Sequence, residues 1–99
     1  MQYHDSPFYA FDDNFIGQNK LIRIGSDLTG WRIFYSDKKS NWIVFYPFSE
    51  SHGGGQPYII NIEDIDFDDW IIRNLNFEED IRKQIEKKKK RRITPPKPQ

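Results

Sequence analysis

Ser49, Glu50, Ser51 and His52 stand together within the stretch YPFSESHGGGQP (residues 46–57), and hydrolases use side chains of these types. A serine, a histidine and an acid can form a nucleophilic triad. Here the candidates are neighbours in the chain, and alternate residues of an extended loop point in opposite directions. The chain also has no nucleophile-elbow motif. The sequence therefore predicts a protein that is not an enzyme, and it assigns no catalytic residue.

The glycines that follow could instead suggest a phosphate-binding loop. That loop requires a Lys-Ser/Thr step and a helix after the glycines, whereas here Pro57 and a strand-like run follow. We interpret Gly53, Gly54 and Gly55 as a tight turn that needs positive φ or a close backbone approach. Together with Pro47 and Pro57 they form a structural loop that presents the polar residues before them.

The sequence predicts no metal site and no cofactor. There is no cysteine, and the two histidines, His4 and His52, lie far apart in the chain. The acidic run EDIDFDD (residues 63–69) resembles a calcium loop in composition but lacks the required glycine and the terminal bidentate glutamate. It is more typical of the solvated first turn of a helix.

The formal net charge of zero hides an uneven distribution. Residues 1–80 carry ten Asp and four Glu against six Lys and Arg, a balance of −8, whereas residues 81–99 carry nine Lys and Arg against one Glu, a balance of +8. The run KKKKRR (residues 87–92) could grip phosphates, but it lacks the interleaved aromatic residues typical of single-strand binders. Nucleic acid binding is therefore the less favoured reading of this tail.

Composition also bounds the compartment. No apolar run is long enough to span a bilayer, and the N-terminal residues do not resemble a signal peptide. The absence of cysteine in so small a domain favours a reducing compartment. We expect a cytoplasmic protein that does not insert into membranes.

Hydrophobic periodicity predicts an α+β fold: a small antiparallel sheet of about four strands followed by C-terminal helices. One domain is expected over residues 1–93, with a flexible Pro-rich tail over 94–99. The aromatic-rich residues 1–18 are interpreted as an extended arm or a short helix. The predicted strands are 20–25, 30–36, 41–48 and 57–62, and the predicted helices are 66–74 and 77–90.

Alternation within the central hairpin predicts its buried positions. Residues 31, 33 and 35 should share a face with 42, 44 and 46. In the helical part, Asp66 is predicted to cap the first helix. The residues expected among the best buried are Trp31, Tyr35, Trp42, Val44 and Tyr46.

The Gly-Trp strand, the Tyr-Pro step and the run Ser-Glu-x-His-Gly-Gly-Gly-x-Pro together resemble the immunity protein 27 family of bacterial polymorphic toxin systems. The resemblance covers about a third of the chain and departs from the family pattern at Ile43, where a Glu is usual. The matching positions are Gly30, Trp31, Tyr35, Asp37, Trp42, Tyr46, Pro47, Ser49, Glu50, His52, Gly53, Gly54, Gly55 and Pro57.

The resemblance implies a non-catalytic protein that binds and neutralises a cognate toxin domain. Many such toxins are nucleases with basic clefts, and an acidic body could fill such a cleft as a phosphate mimic. The alternative is a small nucleic-acid-associated or regulatory protein that acts through residues 87–92. The predicted contact residues are Asp64, Asp66, Asp68 and Asp69, followed by Glu50 and His52.

Overall fold

The structure, a computed structural model, describes residues 6–48 and 55–93, and it describes side chains as far as residue 87. Its elements follow one another as β1 (Phe8–Ala10), α1 (Asp13–Asn19), β2 (Ile22–Ser26), β3 (Ile33–Ser36), β4 (Asn41–Phe45), β5 (Tyr58–Asn61), α2 (Phe67–Arg73) and α3 (Phe77–Ile93). The predicted α+β class is confirmed. The predicted flexible tail, residues 94–99, lies outside the described residues.

The five strands form one antiparallel sheet in the order β1-β5-β4-β3-β2. The hairpin of β3 and β4 has the predicted facing, since Ile33 pairs with Val44 and Tyr35 pairs with Trp42. A register shift between Arg23 and Gly25 interrupts the pairing of β2 with β3. Because β2 pairs on one side only, it is an edge strand.

The sheet has one strand more than the predicted four. Phe8–Ala10 pairs with β5, and the backbone N–H groups of Asn61 and Phe11 donate to the carbonyls of Pro7 and Pro57, both at 3.0 Å. A three-residue strand is too short to show a period, which is why the sequence indicated only an arm or a short helix there. The short helix is present as α1.

The sheet is buried on both faces at β4, where Trp42, Ile43, Val44 and Phe45 are all buried. On one face, residues of β4 pack against α2 and α3. On the other face they pack against α1. This arrangement explains why β4 reads as a continuous apolar run, since a strand covered on both faces does not alternate. The helix-side core comprises Phe34, Ile43, Phe45, Ile60, Ile62, Trp70, Phe77, Ile81 and Ile85.

The burial prediction is confirmed for Tyr35, Trp42 and Val44 and wrong for Trp31, which is 51% exposed. The reason is that β3 begins only at Ile33, so Trp31 precedes the strand and lies outside the cluster that α1 covers. Tyr46 is half-buried, and its ring packs edge-on against that of Trp31 with 5.3 Å between centroids.

The helical predictions are confirmed. The carboxylate of Asp66 accepts the backbone N–H of Asp69 at 3.2 Å, which caps α2. Residues Phe77, Ile81 and Ile85 recur at the spacing of one helix face, and all three are buried.

Candidate partner-binding surfaces

Four exposed aspartates lie together where β5 leads into α2, and we call this group the acidic corner: Asp64, Asp66, Asp68 and Asp69. Asp68 and Asp69 lie in the first turn of α2, where negative charge is favourable to the helix dipole. Within the described part of the chain, none of the four carboxylates forms an ion pair. All four carboxylates therefore face solvent without being held in an ion pair among the described residues.

The backbone beneath the acidic corner is fixed to the first residue of β4. The N–H of Asn41 donates to the carbonyl of Glu63 at 2.6 Å, and its side-chain amide donates to the carbonyl of Ile65 at 2.9 Å. The N–H of Ile62 returns a bond to the carbonyl of Asn41 at 2.9 Å. Glu63 itself has φ of 58°, and its N–H bonds to the side chain of Asn61. These bonds hold the corner in one geometry.

The glycine loop leaves the sheet at the other end of β4. At its C-terminal side Gly55 has φ of 69°, as expected for a turn that needs positive φ or a close backbone approach. A Cβ added there would lie 2.7 Å from the carbonyl oxygen of Phe48, so the two ends of the loop approach closely. Pro47 is buried, and Pro57 is half-buried. The loop residues Glu50, His52, Gly53 and Gly54 lie outside the described residues.

The predicted contacts therefore divide into two groups. Four of them form the acidic corner, beside Asn41 at the start of β4. The flanks of the loop that carries Glu50 and His52 lie beyond Phe45, at the end of the same strand. Four residue steps along a strand cover about 13 Å. The structure brings the aspartates together, and it places the ends of the loop at the opposite end of the sheet.

The residues of the Gly-Trp and Tyr-Pro steps gather at the loop end. Gly30 has φ of 79° in the turn between β2 and β3, where its N–H donates to Asp27 Oδ1 at 3.0 Å. That turn sets Trp31 against Tyr46, which precedes the buried Pro47. The Gly-Trp and Tyr-Pro steps, which are separate segments of the family-like pattern, are therefore in contact in the structure.

Sequence reasoning missed one contact between the sheet and α3. Arg32 donates twice to Glu78, from Nη2 at 2.9 Å and from Nε at 3.2 Å, and its guanidinium lies 5.5 Å from the ring centroid of Phe77. The bond to Glu78 is the largest cause that raises the pKa of Arg32, with Asp27 contributing at 3.6 Å. Because 46 positions separate the two partners, no local pattern indicates the pair.

A shallow pocket of about 250 Å³ lies beside this contact, between the end of β4 and the start of α3. Tyr46 and Pro47 form its sheet side. Leu75, which is 67% exposed, lines it from the turn before α3. The other residues that line the pocket are polar or charged, so the loop end combines apolar and aromatic surface with polar groups of both signs.

Asp37 and Trp42, two further residues of the resemblance, have a structural role in the β3–β4 turn. Asp37 Oδ1 accepts the N–H groups of Lys39 and Ser40 at 2.7 and 2.6 Å, and Oδ2 accepts the indole N–H of Trp42 at 3.0 Å. Desolvation acts to raise the pKa of Asp37, but these hydrogen bonds and the charge of Lys39 outweigh it and lower the pKa. Asp37 therefore stays ionised and holds the turn closed.

The described residues contain no group of three or more His, Cys, Asp or Glu side chains arranged to hold a metal ion. Among the same residues, no helix is both long and apolar enough to cross a membrane. No family model matches the chain, and neither a curated protein nor a solved structure matches it. The resemblance to the immunity protein 27 family therefore remains a prediction.

Proposed function

We propose that this protein is a non-catalytic immunity protein of the cytoplasm that binds and neutralises a cognate bacterial toxin domain. The observation that carries the proposal is the acidic corner. It presents Asp64, Asp66, Asp68 and Asp69, exposed and without ion pairs among the described residues. The motif resemblance supplies the kind of partner, and the corner supplies a surface chemistry that such a partner would recognise.

The electrostatics favour a nuclease as the toxin. A nuclease holds phosphates in a basic cleft, and carboxylates arranged at a fixed spacing can replace those phosphates. Opposite charges on the two surfaces steer the encounter and raise the association rate. Because hydrogen bonds to Asn41 fix the backbone of the corner, little conformational entropy is lost when the toxin binds.

The test compares two double variants with the same change of charge. Asp68→Lys/Asp69→Lys reverses the acidic corner while leaving Asp66 to cap α2. Asp13→Lys/Glu79→Lys reverses two other exposed acids, each also in the first turn of a helix. Matching the helix position matters, because every first-turn reversal costs about 0.3–1 kcal/mol of helix stability.

Binding kinetics are measured against the toxin domain encoded next to the gene for this chain, with a cell-survival assay beside them. We expect the corner variant to associate about tenfold more slowly or worse, and the control variant to associate at close to the wild-type rate. If both variants associate equally slowly, the total charge of the protein, and not the acidic corner, would be what attracts the toxin domain. Absence of binding by the wild-type protein would refute the immunity function itself.

The helix α3 keeps the alternative function open for test. Its backbone is helical to Ile93, and Ile85 is the last buried residue among the side chains that the structure describes, which end at residue 87. Deleting residues 87–99 leaves Ile85 in place. An inhibitor that works through the acidic corner should still protect cells after this deletion, whereas a protein that acts on nucleic acid through residues 87–92 should lose its activity.

A further inference from the structure

The edge strand β2 has unpaired backbone groups and exposed apolar side chains together. Within the described residues, no backbone N–H or C=O of Ile22–Ser26 bonds outside the pairing of β2 with β3. Ile22 is 67% exposed and Ile24 is 57% exposed. An edge of this kind is a ready template for a further strand, and folded proteins usually cover or disrupt it.

A groove runs along the start of this edge. It has a volume of about 830 Å³ and lies between the end of α1, the first residues of β2 and the β3–β4 turn. Leu21, Ile22 and Ile24 supply its apolar surface, and Lys20, Lys38 and Lys39 supply its cations. An extended chain placed along β2 would meet the backbone of the edge, the isoleucines and the lysines at once.

The charge of this edge is opposite to that of the rest of the body. Residues 1–80 hold only six Lys and Arg, and four of them lie at β2 or around the groove: Lys20, Arg23, Lys38 and Lys39. None of the four forms an ion pair within the described part of the chain. The acid that lines the groove, Asp37, is already satisfied by Lys39 N–H, Ser40 N–H and the indole of Trp42.

We propose that β2 is a docking edge for an extended acidic segment of another protein, in which carboxylates alternate with apolar side chains. The segment adds to the sheet as a further strand beside β2. Its backbone bonds to the free groups of the edge, its apolar residues cover Ile22 and Ile24, and its carboxylates face the unpaired cations. This site shares no residue with the acidic corner and does not depend on the immunity function.

The same features disfavour two other occupants. Pairing of β2 with a second copy of the chain would bring two positively charged edges together. It would also place the irregularity between Arg23 and Gly25 of one copy beside that of the other copy, which disrupts regular strand pairing. Single-stranded nucleic acid is bound on aromatic stacking surfaces, and the residues that line the groove include no aromatic ring. A peptide backbone, by contrast, supplies the donors and acceptors that the edge lacks.

The experiment titrates the full-length protein, followed by NMR chemical shifts, with a synthetic peptide in which glutamate alternates with valine. We expect shifts confined to β2 and the β3–β4 turn, and binding that weakens as salt rises. Two N-methylated forms of the peptide carry the methyl groups on alternate backbone positions. Only one edge of an added strand faces β2, so one form should lose binding and the other should keep it.

Two protein variants complete the test. Lys38→Glu/Lys39→Glu should weaken peptide binding at least about tenfold, because it reverses two groove cations. Lys83→Glu/Lys87→Glu makes the same charge change at exposed positions of α3 and should leave binding unchanged. Equal binding of both N-methylated peptides would overturn strand addition. Dimerisation through β2 without peptide, or preferential binding of single-stranded RNA at this edge, would overturn the proposed occupant.

Discussion

At Gly55 the backbone conformation and the surrounding space both exclude a side chain. Its φ of 69° is unfavourable for any residue with a Cβ, and a Cβ would lie 2.7 Å from the oxygen and 2.9 Å from the Cβ of Phe48. We expect Gly55→Val to reduce the free energy of unfolding by about 1–3 kcal/mol. The measurement is urea denaturation followed by tryptophan fluorescence.

Gly17 supplies the control for this change. It lies in α1, and no atom is within 4 Å of a Cβ added there. Gly17→Ala should leave stability unchanged or raise it by about 0.5–1 kcal/mol, since alanine favours a helix over glycine. Unchanged stability in Gly55→Val would show that the end of the loop rearranges freely and that its conformation is not required for folding.

Asp37 should contribute stability that depends on pH. Its pKa is lowered in the folded protein from an ordinary value of 3.8, so its contribution is complete above that value and is lost as pH falls through the folded pKa. Asp37→Asn removes the charge at every pH. The difference in free energy of unfolding between wild type and this variant should therefore be constant near neutral pH and shrink below about pH 4.

The Asp37 prediction is checked by denaturant titrations over a series of acid pH values. Asp13→Asn, which removes an exposed carboxylate with no side-chain hydrogen bond among the described residues, is the matched control. A wild-type advantage over Asp37→Asn that does not change with pH would contradict a role for the ionised carboxylate in holding the turn.

At the scale of elements, the start of α2 depends on one side chain. Asp66 Oδ2 accepts the N–H of Asp69, which otherwise has no helical partner. Asp66→Ala should cost about 1 kcal/mol in the free energy of unfolding. Asp68 lies two residues after Asp66, in the first turn of α2, and its carboxylate accepts no such bond. Asp68→Ala should therefore reduce the free energy of unfolding by less, up to the helix-dipole effect of about 0.3–1 kcal/mol.

This comparison separates stability from recognition within the acidic corner. If thermal denaturation shows equal losses for Asp66→Ala and Asp68→Ala, the cap is not the stabilising feature. If only Asp66→Ala loses stability, the exposed carboxylates that do not cap, such as Asp68, can be changed to test binding without disturbing α2.

At the scale of the whole molecule, residues 1–80 carry both an acidic and a basic surface, which their total charge of −8 does not indicate. The body has an acidic corner at the start of β4 and a basic edge along β2, and the Lys- and Arg-rich end of α3 adds a further basic region. The two proposed binding surfaces therefore have opposite signs on one small domain. Net charge alone would not reveal either surface.

Binding at the acidic corner should respond to salt in a predictable direction. The Debye length falls from about 10 Å at 0.1 M ionic strength to about 3 Å at 1 M. We expect the association rate with the toxin domain to fall over this range while the dissociation rate changes much less. Kinetics of the Asp68→Lys/Asp69→Lys variant over the same range should show a weaker salt dependence. An association rate independent of salt would refute the phosphate-mimic mechanism and leave the immunity function to be tested separately.

Local sequence patterns were sufficient for most of the elements. The four longer strands, both C-terminal helices and the cap at Asp66 were predicted, and so was a turn over residues 53–55 that needs positive φ or a close backbone approach. Each of these features depends on residues within a few positions of one another. The alternation that pairs Tyr35 with Trp42 is equally local, since a short turn joins the two strands. The sequence by itself therefore determined the class of the fold and the composition of the acidic corner.

Only the tertiary structure decided which residues far apart in the chain come into contact. The strand Phe8–Ala10 exists because β5 offers it a free edge. Trp31 is exposed because β3 starts at Ile33, three residues later than the predicted strand 30–36. The contact of Arg32 with Glu78 and the gathering of cations around β2 likewise join segments that are remote in the chain. Periodicity reports which side of an element is apolar, but pairing order and packing decide which surfaces remain open to a partner.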